Sequence, residues 1–228
     1  MQVSIYQGAF PPSAADAAIV IDVIRAFTVA HYAFLQGAER IYLAETVEQA
    51  FHMQKENKDY LLAGEVKGEA IEGFDLENSP YQITRRDLHG KTLIQKTTNG
   101  VRAALNSLAS GHVFVTGFTN ARKTVHYIQE NLASDLETVN IIASHPTGDD
   151  DLACAEYMKS LFEQDASITS GQVRDRIIRS EAAEKFLDAS NITFRCEDIS
   201  YCINELDTNF VMKINKARKI PMIERVYL

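Results

Sequence analysis

"IQKTTNGVRAAL", residues 94–105, joins two different patterns within twelve positions. Thr92, Leu93 and Ile94 lead in as an apolar, extended run of the kind that pairs inside a sheet. From Val101 the apolar residues recur at helical spacing through Leu108. Between them lie Thr97, Thr98, Asn99 and Gly100, a strand-to-helix turn with two readings. A plain N-cap is the commoner reason for such a tetrapeptide. The alternative is an anion cradle: two hydroxyls, an amide and the unpaired N–H groups of the following helix, with its dipole favouring negative charge and Gly100 allowing close approach. The stretch matches neither the phosphate loop ending in Gly-Lys-Ser/Thr nor the G-x-G-x-x-G fingerprint.

The same hand-over recurs outward in both directions. Expected strands are Ala18–Val23, Arg40–Ala44, Tyr60–Ala63, Thr92–Gln95, His112–Thr116 and Val139–Ser144. Helical patterns fall between and after them, at Ala26–Gln36, Thr46–Asn57, Val101–Leu108, Asn120–Leu132 and Asp151–Gln164. Such alternation predicts an α/β fold, with three α/β/α layers around a mainly parallel sheet. The near-continuous apolar run Ala18–Val23 predicts a strand inside that sheet. Two segments break the rhythm. Glu65 to Asp87 is long, acidic and aperiodic, and loops of that length are usually functional or disordered. From Ser167 a charged helix over about Ser170–Leu187 precedes short mixed elements, with Pro221 suited to an edge strand or a strand start. The chain is read as a single domain over 1–228, with 166–228 as a C-terminal capping subregion.

Bulk composition narrows the function. Of 228 residues, 46% are hydrophobic and 24% charged, ordinary for a globular protein with a substantial core. The net charge of −8 argues against nucleic acid as a partner. An anionic small molecule would need a local cationic site. Three cysteines without a C-x-x-C pair argue against disulfides and structural zinc, giving a reducing, cytoplasmic compartment as the expectation. Neither a signal peptide nor an apolar run of membrane-spanning length is visible. The size and apolar content are compatible with a homodimer.

In open α/β sheets ligands bind at the carboxyl ends of the strands. Five expected strands end in polar residues suited to phosphate or metal: Asp22 and Arg25, Glu65 and Lys67, the TTNG turn, Asn120, and the "HPTGDDD" loop. Each has an ordinary explanation. Asp22 most simply caps the Ala26 helix. Arg25 either pairs with Asp22 or forks onto a phosphate or sulfonate. Asp149, Asp150 and Asp151 suit a helix start, with a solvated cap preferred for Asp151, although clustered carboxylates also suit Mg²⁺. Cys154 reads as a core residue. Of six histidines only His145, beside the acidic loop, is a candidate acid or base.

"IDVIRAFTVAHYAFLQGAERI", "LLAGEVKGEAIEGFDLENSP", "GKTLIQKTTNGVRAAL" and "VFVTGFTNARKTVHYI", with a looser echo in "DISYCINELD", resemble the 2-phosphosulfolactate phosphatase (ComB-like) family. The order D-V-x-R-A, G-F-D-L-x-N-S-P, T-T-N-G carries the resemblance. It implies a Mg²⁺-dependent phosphoric monoester hydrolase converting (R)-2-phospho-3-sulfolactate to (R)-3-sulfolactate and phosphate, a step towards coenzyme M in methanogens. It also implies catalytic roles for Asp22, Arg25, Glu65, Asp75 and Asn99. Substrate contacts would come from Asn78, Ser79, Thr97, Thr98, Gly100 and Asn120, and metal ligation from Asp22, Glu65 and Asp75; Lys67, nearby in sequence, is a further candidate for the substrate's acidic groups. Val66 stands where the family pattern has arginine, with Lys67 next. A phosphatase of another small phosphorylated hydroxy acid and a non-catalytic anion-binding homologue are the alternatives. Attack by a carboxylate or by water is left open.

Overall fold

The computed structural model describes all residues except 12, 166, 189, 192, 218 and 219. The expected elements form near their expected places. The strands are β1 (Gln2–Gln7), β2 (Ala17–Ile21), β3 (Arg40–Leu43), β4 (Leu61–Gly64), β5 (Leu76–Glu77), β6 (Thr92–Lys96), β7 (His112–Thr116), β8 (Thr138–Ala143), β9 (Phe210–Asn215) and β10 (Met222–Tyr227). The helices are α1 (Ala26–Leu35), α2 (Val47–Glu56), α3 (Pro80–Ile83), α4 (Gly100–Asn106), α5 (Ala121–Asn131), α6 (Asp149–Phe162), α7 (Ser170–Arg179), α8 (Glu181–Leu187) and α9 (Glu197–Cys202). The fold is α/β.

All ten described strands join one sheet in the order β1-β8-β2-β7-β9-β10-β3-β6-β4-β5. β1, β8, β2 and β7 run parallel to one another, as do β3, β6, β4 and β5. The antiparallel hairpin β9–β10 joins the two groups and reverses the direction between them. The sheet is therefore mixed. The C-terminal region is more than the expected cap, because β9 and β10 are interior strands. Pro221 does precede a strand, and its carbonyl accepts the Leu43 N–H in place of a ladder donor of its own. The expected helix over Ser170–Leu187 breaks at Ser180, which is extended and caps α8 by accepting the Ala183 N–H.

Burial explains why β2 and α1 form the centre. All five residues of β2 are buried, between β7 and β8. Odd and even positions feed opposite faces: Ala17, Ile19 and Ile21 pack with α5 and α6 residues such as Ile128 and Met158, while Ala18 and Val20 pack with Phe27, Ala30 and Phe34 of α1. α1 is apolar nearly all round, with only Tyr32 and Leu35 outside the buried set, as suits a helix enclosed by the sheet. Its His31 is fully buried and neutral: burial pushes its pKa down to about 4, and its ring nitrogens meet the hydroxyls of Thr119 and Thr208.

The β2 and β6 groups run in opposite senses, yet the ends of β2 and β6 meet. Gly100 at the start of α4 lies against Asp22 at the end of β2, where an added Cβ would come 2.6 Å from Asp22 Oδ2. Five strand-to-strand steps, β2-β7-β9-β10-β3-β6, separate them. Five spacings of about 4.8 Å would hold these ends roughly 24 Å apart in a flat sheet, so the contact requires the sheet to bend between them. None of the described helices is long and apolar enough to cross a membrane.

The β4–β6 junction gives a direct test. Gly64 has φ +151°, and a Cβ there would overlap the Lys96 backbone carbonyl. Gly64→Ala is expected to lose about 3 kcal/mol or more of stability in urea unfolding, since backbone must move. Gly90, at φ +68° with no heavy atom within 4 Å of its Cβ position, should lose only about 1–2 kcal/mol as Gly90→Ala. Equal losses at the two positions would contradict the close approach of β4 and β6.

Candidate active site

The cleft lies where four strands end. A cavity of about 410 Å³ is lined from the ends of β2 (Asp22, Ile24, Arg25), β4 (Glu65, Lys67, Gly68), β6 (Thr98, Asn99) and β8 (His145, Gly148), with Asn78 after β5. α8 closes one side through Glu181, Ala182, Lys185 and Phe186.

Asp22 sits at the junction of two helix starts. Its Oδ1 accepts the Ala26 N–H at 2.8 Å, so it does cap α1, and the Gly100 N–H also stabilises its charge. The helix start in the TTNG stretch therefore faces an anion that belongs to the protein. Gly100 is small because Asp22 occupies the space a side chain would need. Burial outweighs these donors, and with the nearby Glu65 charge it pushes Asp22 up to about 6.

Two further acids share this corner. Asp150 is buried and pushed up to about 7 by burial and then by Asp22, and its Oδ1 has no partner among the described residues. Asp151 is also buried, not solvated as expected from its helix-start position. Its Oδ1 accepts the Val23 N–H at 2.8 Å, and its Oδ2 accepts the Ser144 hydroxyl at 3.0 Å and the His145 N–H at 3.1 Å. Asp151 thus ties the loop after β2 to the loop after β8. Only Asp149 points outward, where it pairs with Arg176. Carboxyls raised in the folded state contribute stability below their unfolded pKa of 3.8. Without a cation, that contribution is lost as pH rises through about 6 and about 7.

Glu65 and Arg25 are organised by hydrogen bonds. The Glu65 carboxylate accepts the Thr98 and Gly68 N–H groups and the Thr98 hydroxyl at 2.9 Å, while Thr98 Oγ1 accepts the Lys67 N–H at 2.8 Å. This clamp joins the β4 and β6 turns. Thr97 is the helix cap, its hydroxyl accepting the Val101 N–H. Asn99 faces the cavity and makes no capping bond. Arg25 donates to Asp198 Oδ2 at 2.9 Å and to the Gly68 carbonyl at 3.0 Å, with its guanidinium 4.7 Å from the Phe186 ring centroid. Its partner is Asp198 of α9, not Asp22. Asp198 also accepts the Ser79 hydroxyl at 2.6 Å, so Ser79 supports the site from behind.

Two expected site residues lie elsewhere. Asp75 is exposed, its carboxylate accepting the Leu62 N–H at 2.8 Å and the Gln54 amide at 3.1 Å. The cause is register: β5 pairs in parallel with β4 as Ala63↔Leu76, so the residue before β5 falls beside Leu62, back from the cleft, while Asn78 after β5 reaches it. Asn120 follows β7 and lines a separate cavity with Arg122, His126 and Glu205. Four of the five expected strand ends converge, and β7 does not contribute. Sequence alone does not single out Asp198 and Lys185, whereas it offers Asp150 and Asp151 as carboxylates of the "HPTGDDD" loop that also suit Mg²⁺, with a solvated cap preferred for Asp151.

An α/β sheet whose strand ends gather buried carboxyls, amides and lysines around one crevice is the arrangement of an enzyme handling a small anionic substrate. A family model described as 2-phosphosulpholactate phosphatase matches residues 7–217. A relative in Bacillus subtilis (strain 168) is 50% identical over the whole of both chains. A second in Clostridium acetobutylicum is 38% identical over 68% of this chain and 70% of its own, and a third in Clostridium novyi 31% identical over 82% and 84%. All three are named probable 2-phosphosulfolactate phosphatase. The chain belongs to the 2-phosphosulfolactate phosphatase family, and it is a phosphoric monoester hydrolase.

The clamp around Glu65 is testable on its own. Glu65→Gln replaces acceptor capacity with an NH₂ group facing backbone donors, and unsatisfied buried groups cost about 1–3 kcal/mol each. A loss of roughly 2–3 kcal/mol in denaturant unfolding is expected, with faster amide exchange at Gly68 and Thr98. Unchanged stability and exchange would show that the carboxylate does not hold these turns together.

Proposed function

We propose that this enzyme hydrolyses (R)-2-phospho-3-sulfolactate to (R)-3-sulfolactate and phosphate with Mg²⁺ bound. The observation that carries the reading is the cluster of buried carboxyls Asp22, Asp150 and Asp151, all raised by burial and by neighbouring negative charge, with no cationic side chain within 4 Å of them among the described residues. Arg25 is committed to Asp198, and Asp150 Oδ1 and Asn78 Oδ1 have no hydrogen-bond partner among the described residues. Buried charge left in this state calls for a hard cation with oxygen ligands. No three His, Cys, Asp or Glu side chains among the described residues form a complete ligand group. That suits Mg²⁺, which is commonly held by one or two carboxylates together with substrate phosphate and waters. Asp22 and Asp150 would hold it, with the Asn78 carbonyl as a neutral oxygen. Glu65, which lines the cleft and accepts three hydrogen bonds, would remain available as a further ligand, whereas Asp75 lies outside the cleft. When bound, the ion would neutralise charge on the phosphoryl oxygens.

The chain's own groups do the rest. Asn99, free of capping duty, donates to the phosphoryl group, and Thr98 borders it. The remaining N–H groups of Arg25, oriented by Asp198 and stacked on Phe186, donate at the β2 end. Such donors, fixed before the substrate arrives, stabilise developing charge without reorganisation.

Phosphate release from (R)-2-phospho-3-sulfolactate by the purified protein, with Mg²⁺ and with a chelator, tests the reading. Turnover that requires the ion is expected, and Asn99→Ala should lower kcat on the order of 10²-fold with a smaller effect on KM. Turnover of other phosphorylated hydroxy acids in its place would move the substrate assignment. Full activity of Asn99→Ala would remove Asn99 from the site.

A further inference from the structure

We propose that Lys185 of α8 recognises the acidic end of the substrate that is not the phosphate, and so sets specificity. This deepens the reading above and rests on it for the identity of the ester.

The cations around the cleft are not equivalent. Arg25 is bound to Asp198 and the Gly68 carbonyl. Lys96 is buried, its Nζ 3.3 Å from the Glu65 carbonyl oxygen. Lys67 and Lys185 both line the cavity without an ion pair within 4 Å among the described residues, but only Lys185 reaches it from a helix and not from a strand-end turn. For Lys185 this holds although Glu181, one turn earlier, lines the same cavity at a spacing that normally allows pairing. Its Nζ lies 3.2 Å from the position of a Cβ on Gly68, directly against the turn that carries Lys67. The next residue, Phe186, is buried under the Arg25 guanidinium, and this anchors the backbone of Lys185 at the cleft wall. The Lys185 Nζ stands 4.9 Å from the Phe194 ring centroid, and burial, then the Arg25 charge, lowers its pKa against the opposing pull of Glu65, Asp150 and Asp22.

The phosphoryl end of the cavity is defined by Asp22, Thr98 and Asn99, on the β2 and β6 turns. Lys185 approaches from α8, a different wall. A small ester with a phosphate at one end and a sulfonate or carboxylate at the other can engage both walls together. An ester without a second acid leaves Lys185 unpaired. A group that hydrogen-bonds a substrate charge discriminates strongly against analogues that lack it.

The experiment compares three esters on the wild type, Lys185→Met and Lys185→Arg: 2-phospho-3-sulfolactate, 2-phospholactate and p-nitrophenyl phosphate. In Lys185→Met, kcat/KM for the acid-bearing esters should fall relative to p-nitrophenyl phosphate by about 10- to 100-fold, mainly through KM. Lys185→Arg should recover most of that ratio. The two acid-bearing esters separate a sulfonate contact from a carboxylate contact. An unchanged ratio, or equal losses on all three esters, would overturn the proposal. Calorimetric binding of 3-sulfolactate alone covers the case in which the wild type turns over none of them. That case ends the phosphatase reading, while binding weakened by Lys185→Met and restored by Lys185→Arg still supports the recognition role. Absent or unaltered binding ends it as well.

Discussion

Taking a carboxylate out of water costs several kcal/mol unless charge or hydrogen bonds compensate, and this protein does so at Asp22, Asp150 and Asp151 along one sheet edge. The three are not compensated alike. Asp151 receives two N–H groups and a hydroxyl, and its burial closes the loops after β2 and β8 against each other. Asp22 receives the starts of α1 and α4. Asp150 keeps an oxygen free. Asp151 is the most fully hydrogen-bonded of the three, yet burial and its acidic neighbours raise it as they raise Asp22 and Asp150.

The curl of the sheet makes this corner possible. The β9–β10 hairpin sets the two parallel groups in opposite senses, and their carboxyl ends nevertheless meet where Gly100 lies against Asp22, beside the apolar helix α1. Residues far apart in sequence then meet: Glu65 closes on Thr98, and Arg25 on Asp198. α8 and α9, both from the C-terminal region, finish the wall. That region serves the sheet through its hairpin and the cleft through its helices.

Local order was legible in the sequence because it is written locally. Runs such as Ala17–Ile21 and the Thr97–Gly100 turn specify strand and helix start without reference to the rest of the chain. β1 escaped notice because QVSIYQ is a partly exposed outer strand without a continuous apolar run. The insertion of the β9–β10 hairpin between β7 and β3 depends on long-range register, and the charges of "MIERVY" obscure its interior position. Site residues divide the same way. Asp22, Arg25, Glu65, Lys67 and Asn99, read from the strand-end pattern, line the cavity, as does Asn78, taken from the family resemblance. Asp75 was misplaced because strand register decides which side of a short strand reaches the cleft. Asp198 and Lys185 sit in helices of ordinary surface composition, and only tertiary packing brings them in. Two threonines in the TTNG turn exceeded the need of a cap for a reason the sequence does not display: Thr97 caps α4, and Thr98 clamps Glu65.

The central claim is that Asp22 and Asp150 are held raised until a divalent cation arrives. Carboxyl-carbon NMR titration of the metal-free protein, with Asp22→Asn and Asp150→Asn to assign the signals, tests it directly. The account predicts midpoints near 6 and 7 without metal. With saturating Mg²⁺ both should move down to about 4 or below, because an adjacent cation favours the ionised form. Midpoints near 4 in the metal-free protein, or midpoints that Mg²⁺ does not move, would contradict it.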